Sequence, residues 1–599
     1  MSGVIAALSQ GGYKFVYVDS FGGNDTNTGY NVNSPLQTLA AAKAAIISLN
    51  KNANLMLKRG SLWREELNLS LLSPLSVKVM AYGSGNPPII DGTNIITSWT
   101  KTGGYTNIYQ ASITTDGASD DRVTVYENDV LLSRVTSMAI LDSTPGAFLD
   151  ANSTQGTSLT IYIQASDSGN PASNGRQYEI SVRDKGIVCV LNQVVSGIQT
   201  QKVMNNNGNM DGVGIKNLNI SNHLARYGTK HNLGIGTGIV VDSIAYDADP
   251  GPSYEPADAM YVAYLNSAAA GDTNTWNRCG AIYPGSSSSV ESSLSHTADS
   301  TTFTASNNIQ CWGVGATLTY GPPGGTATPF GNTSTGCYGK NVHTLDFCYG
   351  IANQCLCSLP AETSTVTDFE YATATDCAAY VGNHTGGSIY RTQGANIVAT
   401  FTNCALVGPS VSGTCTRWHQ SYSISGTSTL TINNTVFFNG QIHIDIEAGL
   451  GYVGDYNIFA ADTLSYSKPF DCMYIGSFKQ TLAAWQTATG QDQHSVYLVQ
   501  SDQTSGNQYA FWLGTKLGTG GPINGDFRIN PGARVYDGND VAYIGTYPDS
   551  TPITNAGPQH HWDWNARALA SGPPLAWPNV PTTYSDSINY VSNPLAWIF

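Results

Sequence analysis

Between Gln310 and Asn434 the chain returns to one short step, in which a polar residue precedes a small one and an apolar run follows. The instances are Gln310-Cys311, Gly336-Cys337, Gln354-Cys355, Asp376-Cys377, Asn403-Cys404 and Asn434-Thr435, separated by 26, 18, 22, 27 and 31 residues. That period is too long for one hairpin strand and too irregular for a helical array. It fits one coil of a parallel β-solenoid with loops of varying length. In such a coil the inward positions of successive turns lie above one another, so small residues stack on small ones and Asn on Asn. The pattern predicts an all-β chain.

Other elements read more locally. Ser34 as N-cap with Pro35 at the first helical position predicts a helix running to about Leu49, a natural lid for the first coil. Strands are expected at Leu55 to Leu57 and Val77 to Tyr82. Alternating runs at Val123 to Tyr126 and Leu159 to Ile163, bounded by Asp, Gly, Asn and Pro, suggest a small antiparallel insertion. Coils resume near Gly212 to Ile220, and a loop from Asp247 to Pro256 breaks the repeat. After about residue 535, Pro573-Pro574, Pro578 and Pro581 deny regular strands. The expected division is 1–97 for the cap and first coils, 98–185 for the insertion, 186–480 for the main β-helix and 481–599 for a C-terminal coil, extension and subunit-contact tail.

Composition narrows the partner. Charged residues make up 12% of the chain and the net charge is −15, so clustered basic surfaces for nucleic acid or anionic lipid are not expected. A neutral or weakly charged polymer is the better fit. The opening residues lack the basic and apolar segments of an export signal, and no long apolar run predicts membrane insertion. Eleven cysteines, several at the coil spacing, read as reduced, buried core residues.

A resemblance follows from these motifs in order. Tyr17-Val18-Asp19, Gly23-Asn24-Asp25, Ser34-Pro35-Leu36-Gln37-Thr38-Leu39, Lys58-Arg59-Gly60-Ser61-Leu62-Trp63-Arg64 and Ala81-Tyr82-Gly83-Ser84-Gly85 resemble the N-terminal part of right-handed parallel β-helix proteins of the pectate-lyase-like superfamily. Asp455-Tyr456-Asn457-Ile458-Phe459, Leu482-Ala483-Ala484-Trp485-Gln486, and Thr489-Gly490-Gln491-Asp492-Gln493-His494-Ser495 look like the stretch with which many such β-helices finish, and Gly525 to Gly532 like the tail segment beyond it. Within that superfamily the acidic, Ser/Thr/Asn-rich chain is most similar to bacteriophage tailspike depolymerases. The resemblance implies a homotrimer in the virion tail, made in the host cytoplasm, that acts outside the cell on bacterial capsular or other surface polysaccharide. A secreted polysaccharide lyase shares the same frame.

The cleanest alternation for chemistry is Gln441-Ile442-His443-Ile444-Asp445-Ile446-Glu447, which predicts three isoleucines on one face and His443, Asp445 and Glu447 on an outward one. At about 3.3 Å per residue, Asp445 and Glu447 sit roughly 6.6 Å apart at Cβ. That is within reach of the roughly 5–9.5 Å carboxyl separations of glycosidases. His443 would tune or share the proton transfer. An ordinary solvated strand face has the same pattern. Aligning the coils places Tyr390 and Trp418 in an aromatic row beside this strand for packing on sugar rings, with Arg391 or Arg417 free to bind an acidic substituent. Core or subunit-interface packing is the alternative for both aromatics. Glu291, and the pair Asp368 and Glu370, are further candidate catalytic acids. Beyond His231, Lys340 is the only lysine before Lys468, which disfavours a lysine-based lyase and favours two-carboxylate hydrolysis. A lyase using Tyr390/Arg391 or His443, and a non-catalytic receptor-binding protein, remain open. The acids of the Asp247 to Asp258 loop match no calcium pattern, so neither metal nor cofactor is expected.

Overall fold

The computed structural model describes residues 12–115, 123–150 and 158–204, then strand-bearing stretches between 210 and 381 with gaps between them. It continues with 388–395, 398–407, 417–438, 442–461, 470 and 472–500, and with short pieces at 529–530, 534–536, 541–543 and 548–558. The chain is all-β in class, dominated by parallel sheets. It divides into two compact units, Met1–Ala269 with Cys279–Ser292, and Ala270–Arg278 with Ser293–Phe599.

In the first unit, Lys14–Val18, Ala53–Lys58, Val77–Tyr82, Val194–Ser196, Leu218–Ser221 and Gly238–Val241 pair in parallel in that order. A second parallel sheet takes the strand that follows each turn, from Leu62–Trp63 through Ile89–Asp91, Gln199–Gln201, Leu224–Gly228 and Ile244–Ala248 to Gly280–Ile282. A third runs from Leu67–Asn68 to Tyr261–Val262. Between the third and fourth strands of the first sheet the order is interrupted by mostly antiparallel strands, among them Tyr109–Thr114 with Ser158–Gln164, and Val125–Glu127 with Tyr178–Ser181. These enclose a core of their own, including Val125, Phe148, Ile161, Ile163, Tyr178 and Ile180.

The helix of this unit is Leu39–Leu49, and its N-cap is Thr38, not Ser34. The Ser34-Pro35 signal lost to strand pairing: Leu36 donates its N–H to Tyr17 O and accepts from Asp19 N, which keeps the segment extended. The cap that forms is stronger in donors and acceptors. Asp25 accepts from Gln37 N, Thr38 N and Thr38 Oγ1, and Glu65 accepts from Leu39 N and Ala40 N, placing two carboxylates at the positive end of the helix.

The second unit repeats the arrangement. Strands from Thr273–Asn277 through Thr373–Thr375, Val398–Thr402 and Ser428–Asn433 to Leu450–Asp455 form one parallel series. Strands from Trp312–Val314 through Ala378–Val381, Ala405–Val407, Val436–Phe438 and Ile458–Ala461 to Val496–Gln500 form another. The strand Ser428–Asn433 alternates buried Ser428, Leu430 and Ile432 with half-buried Thr429, Thr431 and Asn433, so this strand has one core face.

The turn joining the two series explains the sequence step. Asp376, Asn403, Asn434 and Tyr456 adopt φ of 52°, 53°, 51° and 56°. This left-handed region disfavours most side chains and is best tolerated by Gly, Asn and Asp. Each N–H of Asp376, Asn403 and Asn434 donates to the last carbonyl of the strand in the next repeat. The following residue, Cys377, Cys404, Thr435 or Asn457, is buried. Gln310-Cys311, Gly336-Cys337 and Gln354-Cys355 lie outside the described residues, and the described cysteines, Cys189, Cys279, Cys377, Cys404 and Cys472, are buried and free of disulfides.

The second unit closes on a buried carboxylate. Asp492 Oδ2 accepts from Tyr452 Oη at 2.7 Å and Trp485 Nε1 at 2.8 Å, while Oδ1 accepts from Asn457 Nδ2 at 2.8 Å and Ser495 Oγ at 2.6 Å. Trp485 comes from the helix Leu482–Thr489, which starts at its N-cap Thr481 and stops at left-handed Gly490.

Two outcomes follow. Asn403→Gly should leave the melting temperature nearly unchanged, whereas Asn403→Val, forced into a left-handed turn, should cost about 1–2 kcal/mol by denaturant unfolding. Asp492→Asn presents an amide donor to a site built from donors, and should cost about 2–3 kcal/mol with a shifted Trp485 emission; wild-type stability and emission would refute the hub.

Candidate functional site

The three strands singled out for chemistry are consecutive members of one parallel sheet: Ser388–Ala395, Arg417–Ser425 and Ile442–Ile446, followed by Cys472–Tyr474. Their register differs from the expected one by a residue. Tyr390 pairs with His419 and then Ile444, whereas Arg391 pairs with Gln420 and then Asp445. Tyr390 and Trp418 therefore do not fall in one cross-strand column, and the expected aromatic row is corrected. Arg391 stands in the column of Asp445, and Arg417 in that of Ser388 and Ile442.

The expectation of an outward His443, Asp445 and Glu447 face is corrected too. His443 is 1% exposed and Asp445 4%, while Ile444 and Ile446 on the other face are fully buried. Both faces of the strand are covered, so alternation here separates two packed surfaces, not core from solvent. The reason is aromatic packing from the preceding strand and from the next repeat. The His443 ring stands edge-on to Phe437 at 6.4 Å and to Phe459 at 5.5 Å, and lies 5.8 Å from Phe470. Phe437 and Phe459, register partners, stack at 5.3 Å with their planes 7° apart. Only Glu447, beyond the strand end, is half-buried, at a turn closed by Leu450 N–H donating to Glu447 O. Glu291, Asp368 and Glu370 lie outside the described residues, as does the acidic loop from residue 249 to 258.

A second constellation, part of a stretch that the sequence marked only as a fold signature, sits near the end of the second unit. Asp455 Oδ2 meets His494 Nδ1 at 2.7 Å, and Asp455 Oδ1 accepts the His494 N–H at 2.8 Å. The Tyr456 ring stacks on His494 at 4.9 Å with planes 9° apart, and its hydroxyl donates to Asp549 Oδ2 at 2.6 Å. The hydrogen bond to Asp455 raises the His494 pKa above the ordinary imidazole value. The Tyr456 hydroxyl is the main cause of the Asp549 carboxyl falling to about 2. The available sequence signal was an Asp before a left-handed position and a His after Asp492; the Asp549 partner, 93 residues from Tyr456, had none.

The first unit holds its charges in a different way. Lys202 is 1% exposed, reaches Glu179 and Asp129, and lies 4.5 Å over the Tyr126 ring; Glu179 also receives Arg64 and Gln177. His223, fully buried with its Nε2 3.0 Å from Thr200 Oγ1, is pushed by burial to a pKa of about 3 and stays neutral. The Lys202 and Glu179 charges are paired with one another, and these buried groups belong to packing.

No protein-family model matches the sequence, and no curated protein matches it either. Among solved structures, the chain is similar to a complex of XylC with xylose, at 11% identity over 75% of this chain and 69% of that one, with a TM-score of 0.33. It is also similar to a structure described as a glycoside hydrolase, at 9% identity over 79% and 98% of the two chains with a TM-score of 0.27. A third is the GH136 lacto-N-biosidase from Eubacterium ramulus, at 10% identity over 77% and 66% with a TM-score of 0.25. Likenesses this slight bear on neither fold nor chemistry.

Proposed function

We propose that the chain is a right-handed parallel β-helix of the pectate-lyase-like superfamily and works as a homotrimeric bacteriophage tailspike depolymerase. On this reading it sits in the virion tail and cleaves glycosidic bonds of bacterial capsular or other surface polysaccharide. The observation that carries the reading is the parallel sheet in which Arg391, Gln420 and Asp445 fall in one register column, with Glu447 two residues beyond Asp445 at the strand end. Supporting it are the N- and C-terminal motifs, in which Asp19 pairs with Lys58 and Asp492 accepts from Trp485.

Two-carboxylate hydrolysis requires a proton donor and an ionised partner in unlike surroundings. In the proposed site, shielded Asp445 is the acid and half-exposed Glu447 the base or nucleophile. His443, held in its aromatic box, positions the acid strand. On this reading Arg391 would meet an acidic substituent of the polymer, and a chain with 12% charged residues suits a neutral or weakly charged polymer.

The test is turnover against a panel of capsular polysaccharides. New reducing ends are expected. Ultraviolet-absorbing unsaturated uronates would instead decide for β-elimination, and stoichiometric binding without shortening of the polymer for a receptor-binding protein. Asp445→Asn and Glu447→Gln should each lower activity by about 10²–10⁴-fold while sedimentation still reports the trimer. Near-wild-type activity in both would move the site to Glu291, Asp368 or Glu370.

A further inference from the structure

The segment 548–558 is anchored to the second unit at two points. At one end Asp549 accepts the Tyr456 hydroxyl; at the other the Gly557 N–H donates to Asn434 O at 2.7 Å. Between them Ile553 and Ala556 are 3% and 0% exposed, and a short 3-10 turn spans Ile553–Asn555. The first anchor is not an isolated contact. Tyr456 lies against the flat face of His494, and His494 is held at Nδ1 by Asp455. One imidazole thus stands among Asp455 and Tyr456 from the end of Leu450–Asp455 and Asp549 from the segment.

We propose that residues 549–557 form a strap whose hold on the end of the second unit is set by the protonation of His494. With the imidazole charged, a cation stacks on Tyr456 and stands beside both carboxylates, so Asp549 is drawn toward the tyrosine that binds it. With the imidazole neutral, the cation beside the two carboxylates is gone, and the Tyr456 contact is left to hold Asp549 alone.

The signs agree. His494 has a raised pKa in the fold, so its contribution is full below about pH 6.5 and is lost as pH climbs through the raised value. Asp549 is lowered to about 2, so its contribution is present above the ordinary carboxylate range and is lost only in strong acid. The strap is held most firmly from about pH 4 to about pH 6.5 and loosens on the alkaline side. All four side chains are partly exposed, so salt should weaken the effect.

Amide hydrogen exchange on the full chain tests this directly, comparing protection of residues 551–557 at pH 5.5 and pH 8.5 after correction for intrinsic rates. Protection at the Gly557 amide should fall about two- to fivefold at the higher pH, with exchange in Val398–Thr402 and Ser428–Asn433 unchanged. His494→Gln should remove the pH dependence, and Tyr456→Phe should lower protection at both pH values. Equal protection of the wild-type segment at the two pH values, or a wild-type pH response in His494→Gln, would overturn the proposal.

Discussion

The described repeats at the end of the second unit depend on satisfying backbone polar groups at a turn whose second residue is buried. A chain that changes direction inside its own core must find partners there for N–H and C=O groups that neither sheet ladder supplies. Here the partner is the next repeat. Cys404 N–H donates to Thr435 Oγ1, Thr435 N–H to Asn457 Oδ1, and Asn457 N–H to Ser495 Oγ. The small residue after the left-handed turn is thus an acceptor for the repeat before it as well as a filler of space. Among the described residues this chain of bonds ends at the segment around Ser495. Asp492 terminates it by taking the donors that remain, from Ser495, Asn457, Tyr452 and Trp485. The short helix Leu482–Thr489 carries the indole of Trp485 that donates to that carboxylate.

This constraint explains what could be read from the sequence. A left-handed φ restricts side chains so strongly that Asp376, Asn403 and Asn434 betray the turn, and burial after it restricts Cys377, Cys404 and Thr435 to small groups. Tyr456 escaped the pattern because its left-handed position is stabilised by contacts made elsewhere in the chain, with His494 and Asp549. The N-terminal signature was legible for a similar reason: Asp19, Lys58 and Ser61 form one local cluster whose geometry permits few substitutes.

What failed was any inference that needed knowledge of a third neighbour. Alternation along Ile442–Ile446 separates two faces correctly but carries no information on what lies against each. The aromatic rings of Phe437, Phe459 and Phe470 decide that, and they come from other strands. The same holds for Tyr390 and Trp418. Their alignment required counting across loops of unequal length, and a one-residue error exchanges the faces of a strand. The helix start failed by competition: Ser34-Pro35 is a sound local signal, and pairing of Leu36 with Tyr17 and Asp19 outweighed it.

The sparse charges follow a related rule. In the first unit Lys202 adopts φ of 58° and buries its ammonium against Glu179, Asp129 and the Tyr126 ring. Strain in the backbone and desolvation of the charge both oppose this arrangement. A buried ion pair of this kind adds little net stability, but it penalises every packing in which Glu179 or Lys202 loses its partner. Tyr126, Asp129 and Glu179 belong to the interrupting antiparallel strands and their turn, whereas Lys202 and Arg64 belong to segments adjoining the parallel sheets. The cluster therefore fixes one orientation of the interruption against its sheets where apolar contact alone would tolerate several.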